Sequence, residues 1–202
     1  MTLYSRRNIL GLAAGALACP LAPALADTTS DDPYRLPTMN MKKYPPEVRR
    51  TVVKFKSRQF PGTIIIDTTQ HHLYLLLEGG MAIRYGVAVG KDGFRWAGVA
   101  DVMRKVMWPK WTPPSEMIER KPELAKYRDG MPGGPENPLG ARALYLFKDG
   151  RDTLYRIHGT NAPESIGTNS SSGCIRMFNQ DIIELYRRAP IGTRVLVYSE
   201  GF

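Results

Sequence analysis

Short apolar runs separated by glycine-containing turns are the feature that most constrains how this chain folds. Gly79-Gly80 separates two such runs, and residues 148–151 separate another two, so each pair predicts a β-hairpin. Runs of this length, rich in Val, Ile, Leu and Tyr, favour strands. Strands are expected at residues 63–67, 72–78, 81–89, 99–108, 143–147, 153–158 and 194–198. The sequence therefore predicts a mainly β domain.

Helical patterns are fewer. Asn179 is expected to cap a helix that ends near Arg188, with Asp181 in its first turn, where the helix dipole favours an anion. Shorter helices are expected over residues 47–57 and 115–120. The fold class expected from the residues is mainly β with minor α, with one clear helix.

A proline-rich stretch from residue 109 to residue 138 interrupts the pattern of strands. A long irregular insertion in a compact domain often covers a functional site, and a surface loop without function is the alternative. Trp108 and Trp111, at its start, are expected to be core residues rather than walls of a cleft.

The first 26 residues have the order of an export signal. Arg6 and Arg7 precede an apolar run, and Ala24-Leu25-Ala26 offers a cleavage site, which indicates the twin-arginine type. The run is too short for a membrane anchor, and Cys19 is a weak lipoprotein site. We expect export to the periplasm or cell envelope, with no transmembrane span after cleavage. The expected units are a signal peptide at 1–26, an N-terminal arm at 27–61 and the main domain at 62–202.

The amino-acid composition limits the kinds of partner and of binding site that this protein can have. Lys and Arg number 28 against 19 Asp and Glu, a net charge of +9 that favours an anionic partner without choosing between nucleic acid, a membrane surface and an acidic cell wall. Two cysteines and three histidines cannot build a disulfide framework or a Cys-rich zinc site, and they supply a multi-His site poorly. We therefore expect no metal site. After signal cleavage, Cys174 is the single cysteine.

The residues around Cys174 predict a reactive thiol. A thiol attacks as the thiolate, so it needs a base or a cation nearby. His158 ends a predicted strand, and the Gly/Ser-rich loop after it can return the chain to Cys174; Arg176 lies two positions further on. Main-chain N–H groups of the Ser171-Ser172-Gly173 turn are positioned to form an oxyanion hole, and the Gly159 carbonyl is expected to orient His158.

Two interpretations of Cys174 stay open at this point. It is either a small buried hydrophobic residue, as a lone cysteine often is, or a catalytic nucleophile. His158 or Arg176 taken singly is weak evidence for the catalytic interpretation. Taken together, the residues favour a cysteine acyl-transfer enzyme.

Several stretches also resemble the L,D-transpeptidases, the family with the YkuD-type catalytic domain. The resemblance covers about residues 62–198, and one departure from the family pattern is Ser172, where many members carry histidine. The matching stretches are His158-Gly159-Thr160, Ser165-Ile166-Gly167 and Ser171 to Met177 with Asn179 and Asp181, together with Pro61-Gly62-Thr63 with Asp67, Asn137-Pro138-Leu139-Gly140 and Gly192-Thr193.

The resemblance implies a mixed β-sandwich with a capping helix, and a reaction on peptidoglycan. The thiol would attack the L,D bond between meso-diaminopimelate and D-alanine in a tetrapeptide stem, release D-alanine and pass the acyl group to an amine. The acceptor would be a second stem, giving a 3→3 cross-link, or an envelope protein. Carbapenem β-lactams are the implied inhibitors, no cofactor or metal is needed, and nucleic acid is not an expected partner.

The resemblance also assigns roles to individual residues. Cys174 would be the nucleophile and His158 the general base, oriented by the Gly159 carbonyl. The N–H groups of Ser172, Gly173 and Cys174 would form the oxyanion hole, and Arg176, Ser171 and Thr160 would contact substrate.

Other functions remain as alternatives. Water as acceptor would make the protein an L,D-carboxypeptidase. A sortase also uses His, Cys and Arg in this order but spreads them far apart in sequence, and papain-like peptidases place Cys before His. A catalytically silent wall-binding module is the alternative from outside the enzymes.

Overall fold

A computed structural model describes residues 32–90, 97–171 and 173–199 of the chain. The expected signal at 1–26, the first residues of the expected arm and Ser172 lie outside these ranges. Eleven strands are found in them: β1 Thr51–Lys54, β2 Ile64–Asp67, β3 His72–Leu77, β4 Met81–Gly86, β5 Val89–Gly90, β6 Gly98–Met107, β7 Arg142–Lys148, β8 Arg151–His158, β9 Asn169–Ser171, β10 Ile175–Arg176 and β11 Arg194–Tyr198.

Nine of the described strands form one mixed sheet, in the order β1-β4-β3-β2-β11-β6-β7-β8-β10. β5 and β9 pair separately as a short parallel sheet. The prediction of a mainly β fold with minor α is confirmed. Where a sandwich was expected, hydrogen bonding runs without a break through all nine strands, so these strands do not divide into two separate sheets.

The last strand lies in the middle of the sheet. β11 pairs in parallel with β2 and antiparallel with β6. Ile64 and Ile66 of β2 and Val195 of β11 are fully buried, as expected for central strands whose apolar runs are long enough to cover the core. The chain end therefore joins the N-terminal and C-terminal halves of the domain.

Two α-helices occur in the described residues: α1 Ser115–Arg120 and α2 Asn179–Arg188. α2 buries Ile182, Ile183 and Leu185, and it packs against β7 and β8 as a capping helix. The expectation that Asn179 caps α2 is wrong. Phe178 occupies the cap position without a side-chain hydrogen bond, because the Asn179 amide is used elsewhere.

The helix expected over residues 47–57 is also wrong. A short 3₁₀ turn, Pro46–Val48, is followed by β1, which pairs along its length with β4. Val52 and Val53 are β-branched and favour a strand once a free sheet edge is available. The C-terminal part of the expected arm therefore belongs to the sheet.

The rest of the described arm is anchored to the domain by a buried ion pair. Asp32 accepts hydrogen bonds from Arg142 at the start of β7 (3.1 Å to Nη1) and from the indole of Trp108. Both charged side chains are almost completely buried. Tyr34 packs edge-on against Trp108 and donates to the Gly133 carbonyl. The arm thus contacts the 109–138 segment at Gly133 and at Trp108, the residue that precedes it.

None of the helices formed by the described residues is long and apolar enough to cross a membrane.

Candidate active site

The pairing of β8 with β10 brings the expected site residues together. These two strands run in parallel, with Ile157 opposite Ile175 and His158 opposite Arg176. Side chains alternate between the two faces of a strand. Because Ile157 and Ile175 are buried in the core, His158 and Arg176 lie on the other face, and Cys174 immediately precedes β10 on that face.

Cys174, His158 and Arg176 line one cavity of about 1080 Å³. The Cys174 sulfur lies 3.9 Å from the Leu154 carbonyl oxygen and is partly buried. Burial raises the pKa of the thiol above its ordinary value, although the main-chain N–H of Arg156 and the positive charges of Arg156 and Arg176 oppose this increase. The resting sulfur is therefore a neutral thiol at neutral pH.

His158 is held in one tautomer. Its Nδ1 donates to the Gly159 carbonyl oxygen at 2.6 Å, which leaves Nε2 without a proton in the neutral ring. The side chain is 4% exposed. Its pKa is lowered to about 4, mainly by burial and also by the charges of Arg176 and Arg156, while the carbonyls of Gly159 and Leu139 oppose the shift. The imidazole is therefore neutral and able to accept a proton.

Arg176 supplies the positive charge that faces this pair. Its main chain pairs with Ala88 in both directions at 2.9 Å, which fixes the start of the side chain. With the residues that the structure describes, its guanidinium makes no hydrogen bond and no ion pair. A cation that lines a cavity without a protein partner is suited to bind an anion.

Asn179 organises the loops behind His158, a role the sequence did not indicate. Its Oδ1 accepts from the N–H groups of Ala141 (3.0 Å) and Thr160 (3.2 Å), and its Nδ2 donates to the Thr160 carbonyl at 2.8 Å. A Cβ on Gly159 would lie 2.1 Å from this same Oδ1. Glycine is therefore required where the carbonyl turns towards His158.

The turn before Cys174 is only partly described. Gly173 is buried and has φ of +120°, a conformation that favours glycine. Ser171 ends β9, and Ser172 lies outside the described residues, so the oxyanion hole stays a prediction. Thr160 is 3% exposed, and its hydroxyl accepts from Ala162 N–H at 3.0 Å. The structure does not bring Thr160 to the cavity wall.

The 109–138 segment forms one wall of the cavity, so it is more than a surface loop. Residues of this wall include Lys110, Trp111, Met117, Arg120, Leu124, Tyr127 and Met131. Trp111, expected in the core, faces the cavity instead, because its main chain pairs with Met131 across the segment. Tyr145, Leu154 and Arg156 of β7 and β8 also line the cavity, and the sequence did not single them out.

No metal site accompanies these residues. In the part of the chain that the structure describes, no three His, Cys, Asp or Glu side chains are grouped closely enough to hold a metal ion.

Comparison with known proteins gives the family. The family model of the YkuD domain, the L,D-transpeptidase catalytic domain, matches residues 61–197. This chain belongs to the L,D-transpeptidase family. The match agrees with the resemblance in the sequence and covers β2 to β10, nearly all of β11, α2 and the residues that line the cavity.

Two relatives illustrate the range of the L,D-transpeptidase family. A candidate L,D-transpeptidase of Fuscovulum blasticum, open reading frame 5 of its ATP synthase subunits region, is 36% identical over 193 residues, 93% of either protein. The probable L,D-transpeptidase YbiS of Escherichia coli K12 is 38% identical over 149 residues, 68% of this chain and 44% of YbiS. The chain thus matches less than half the length of YbiS.

Two solved structures of similar fold follow. A Brucella melitensis protein described as a probable carnitine operon oxidoreductase is 46% identical, with a TM-score of 0.53, over 79% of this chain and 99% of that chain. The Ldtfm–avibactam carbamoyl enzyme is 19% identical, with a TM-score of 0.52, over 69% of this chain and 49% of that one. The second likeness is one of fold alone.

Proposed function

We propose that this L,D-transpeptidase family member acts on peptidoglycan stems in cell wall biogenesis, with Cys174 as nucleophile. The observation that carries the proposal is the pair at the cavity wall. A neutral His158, fixed through Nδ1 by the Gly159 carbonyl, lies on the same cavity as the neutral thiol of Cys174. A neutral base beside a neutral thiol supports general-base activation of the sulfur.

The first half-reaction forms a thioester. Nε2 of His158 takes the thiol proton as the Cys174 sulfur attacks the diaminopimelate carbonyl carbon of the L,D bond. The C–N bond to D-alanine then breaks, and the proton passes from His158 to the departing amine. Because the thiol is neutral at rest, the reaction needs His158 to accept its proton.

Charge that develops on the attacked carbonyl oxygen needs donors nearby. The N–H groups of Ser172, Gly173 and Cys174 are the proposed oxyanion hole, and the positive φ of buried Gly173 supports a turn there. Arg176 is proposed to bind a substrate carboxylate, since its guanidinium lines the cavity. Ser171 remains a predicted substrate contact.

The second half-reaction restores the thiol. An acceptor amine attacks the thioester carbonyl, His158 takes the amine proton, and the C–S bond breaks with return of a proton to sulfur. A second stem as acceptor gives a 3→3 cross-link, an envelope protein gives covalent attachment to the wall, and water gives trimming of the stem. No cofactor takes part in this scheme.

The proposal includes the place of action. The expected twin-arginine signal at 1–26 and a wall substrate both agree with export to the periplasm or cell envelope. The net charge of +9 suits an anionic wall.

Purified disaccharide-tetrapeptides with product analysis by mass spectrometry test the function. Wild type is expected to release D-alanine and to yield dimers, or tripeptides if water is the acceptor. Cys174→Ala is expected to abolish release while changing the free energy of unfolding by less than about 1 kcal/mol, because the side chain is small and partly exposed. D-Alanine release by the folded Cys174→Ala variant would refute the assignment.

The same variant gives a covalent readout. A β-lactam of the carbapenem class is expected to add its mass to wild type and not to Cys174→Ala. The Ldtfm–avibactam carbamoyl enzyme, a relative in fold, carries a covalent inhibitor of a different class, which supports the use of a covalent adduct as the readout. An unchanged intact mass of folded wild type would count against a reactive sulfur, and equal labelling of both proteins would exclude Cys174 as the site.

A further inference from the structure

A row of side chains crosses the open face of the sheet and ends at the Cys174 sulfur. Arg104 of β6 is the register partner of Tyr145 in β7, and Tyr145 is the register partner of Arg156 in β8. Because Ile157 pairs with Ile175, Arg156 lies at the level of Cys174 on the next strand. Arg104, Tyr145, Arg156 and Cys174 thus occupy four neighbouring strands.

Tyr145 fixes both guanidinium groups of the row. The Arg156 guanidinium carbon lies 4.3 Å from the centroid of the Tyr145 ring, and that of Arg104 lies 4.8 Å from the same centroid. Distances below about 6 Å are those of cation–π contacts. Tyr145 and Arg156 both line the cavity. The stack therefore extends the cavity wall outwards by one strand.

The two arginines differ in their charge balance. Asp152 holds Arg156 with two hydrogen bonds of 2.7 and 2.8 Å, so the charge of Arg156 is compensated. The Arg104 guanidinium is exposed and has no carboxylate partner anywhere in residues 32–90, 97–171 or 173–199. The charge of Arg104 also helps to lower the pKa of Asp152, so one carboxylate faces two guanidinium groups and the row carries one net positive charge.

The distance to the sulfur fits a peptide substrate. Neighbouring strands lie about 4.8 Å apart, so β6 is about 14 Å from the strand of Cys174. Arg104 leans over Tyr145, which brings its charge one strand closer, to about 10 Å. An extended peptide covers this length in about three residues.

We infer that Arg104, stacked on Tyr145 beside Arg156, binds a carboxylate of the donor stem two to three residues from the attacked bond. This inference rests on the proposed function and adds a specificity-determining subsite to it. The ligand is a peptide carboxylate. In a stem of this kind the γ-linked glutamate before diaminopimelate leaves an α-carboxylate free at that separation.

Two matched stems test the subsite. One disaccharide-tetrapeptide carries the glutamate carboxylate as the free acid, and the other carries it as the amide. Wild type is expected to show a KM about tenfold higher for the amide, because a charge-assisted hydrogen bond is lost, with kcat changed less than about twofold.

Three variants complete the experiment. Arg104→Gln is expected to raise KM for the free acid about tenfold and to abolish the discrimination between the two stems. Arg104→Lys is expected to keep part of the discrimination, since the charge remains and the planar stack is lost. Arg58→Gln removes an exposed arginine beyond β1, at the far edge of the sheet, and is expected to behave as wild type.

The outcomes separate this inference from the proposed function. If wild type and Arg104→Gln process both stems with equal KM, the subsite is wrong while the function stands. If Arg104→Gln discriminates as strongly as wild type, the carboxylate is bound elsewhere and the inference is also wrong. If wild type releases no D-alanine from either stem, the proposed function and the subsite fail together.

Discussion

The two halves of the nine-stranded sheet differ in regularity. From β1 to β11 the ladders run with continuous register, and Ile64, Ile66 and Leu73 are completely buried. From β6 to β10 the register shifts twice, and β10 is only two residues long. All of the expected chemistry lies in the irregular half.

Irregularity in the second half is local and serves the cavity. Leu154, inside β8, has φ of +63° and is 76% exposed, while its N–H donates to Asp152 at 2.8 Å. This bulge directs the Leu154 carbonyl towards the Cys174 sulfur. A bulge re-aims groups that a regular ladder would keep in its hydrogen bonds. The regular half supplies stability, and the irregular half supplies positioning.

Replacing one histidine in each half gives the largest contrast. His158→Gln is expected to lower kcat about 100- to 10,000-fold, because the proton acceptor beside Cys174 is lost. His72→Gln in β3 is the matched control and is expected to retain activity within about twofold, since His72 bonds to a carbonyl of the 46–48 turn and to Tyr74, away from the cavity. The rate of D-alanine release, measured for both variants, tests whether the two halves differ in this way. Equal losses would remove the distinction between the halves.

Truncating one buried isoleucine in each half sharpens the comparison. Ile66→Ala is expected to cost about 2–5 kcal/mol of unfolding free energy with activity kept within about twofold below the melting temperature. Ile175→Ala, next to Cys174, is expected to lower kcat by more than about tenfold, because small displacements of a reacting group are costly. Denaturant unfolding and initial rates measure both effects. A catalytic loss in Ile66→Ala alone would contradict the division.

The pH dependence of stability gives the smallest effect. The pKa of His158 is about 4 in the fold and about 6.5 in the unfolded chain, so between these values only the unfolded chain binds the proton. Stability is therefore complete above pH 6.5 and is lost as pH falls towards 4, by about 3 kcal/mol. His72, whose pKa burial also lowers, adds to this slope with the same sign.

Denaturant unfolding of wild type and His158→Gln between pH 7 and pH 4 isolates the His158 contribution. The variant is expected to have the shallower slope. Parallel slopes for the two proteins would show that His158 takes up its proton in the folded state at an ordinary pH.

Local sequence patterns predicted most of the strands. Gly79-Gly80 and residues 148–151 turn the chain where expected, and β2, β3, β7, β8 and β11 fall within a few residues of their predicted bounds. The Gly159 carbonyl bonds to His158 as expected, because adjacent residues interact through local geometry. These features depend on a few neighbouring residues, so the sequence contains the necessary information.

Features that depend on distant partners were missed. Residues 51–54 form a strand because they pair with the edge strand β4, whereas the local sequence pattern favoured a helix there. Asn179 does not cap α2, because its side-chain oxygen accepts hydrogen bonds from the N–H groups of Ala141 and Thr160 instead. The central place of β11 likewise follows from long-range pairing rather than from its own residues.

Asn137 has a consequence for how this cavity can vary. Completely buried, its Nδ2 donates to the carbonyls of Pro109 at 3.1 Å and of Pro132 at 2.9 Å, so one side chain ties together the exit and the return of the 109–138 segment. Once its ends are joined, a loop adds little entropic cost as it lengthens. A shorter or longer segment between these two points would therefore alter the cavity wall at little cost in loop entropy, while the strands beneath it keep their pairing.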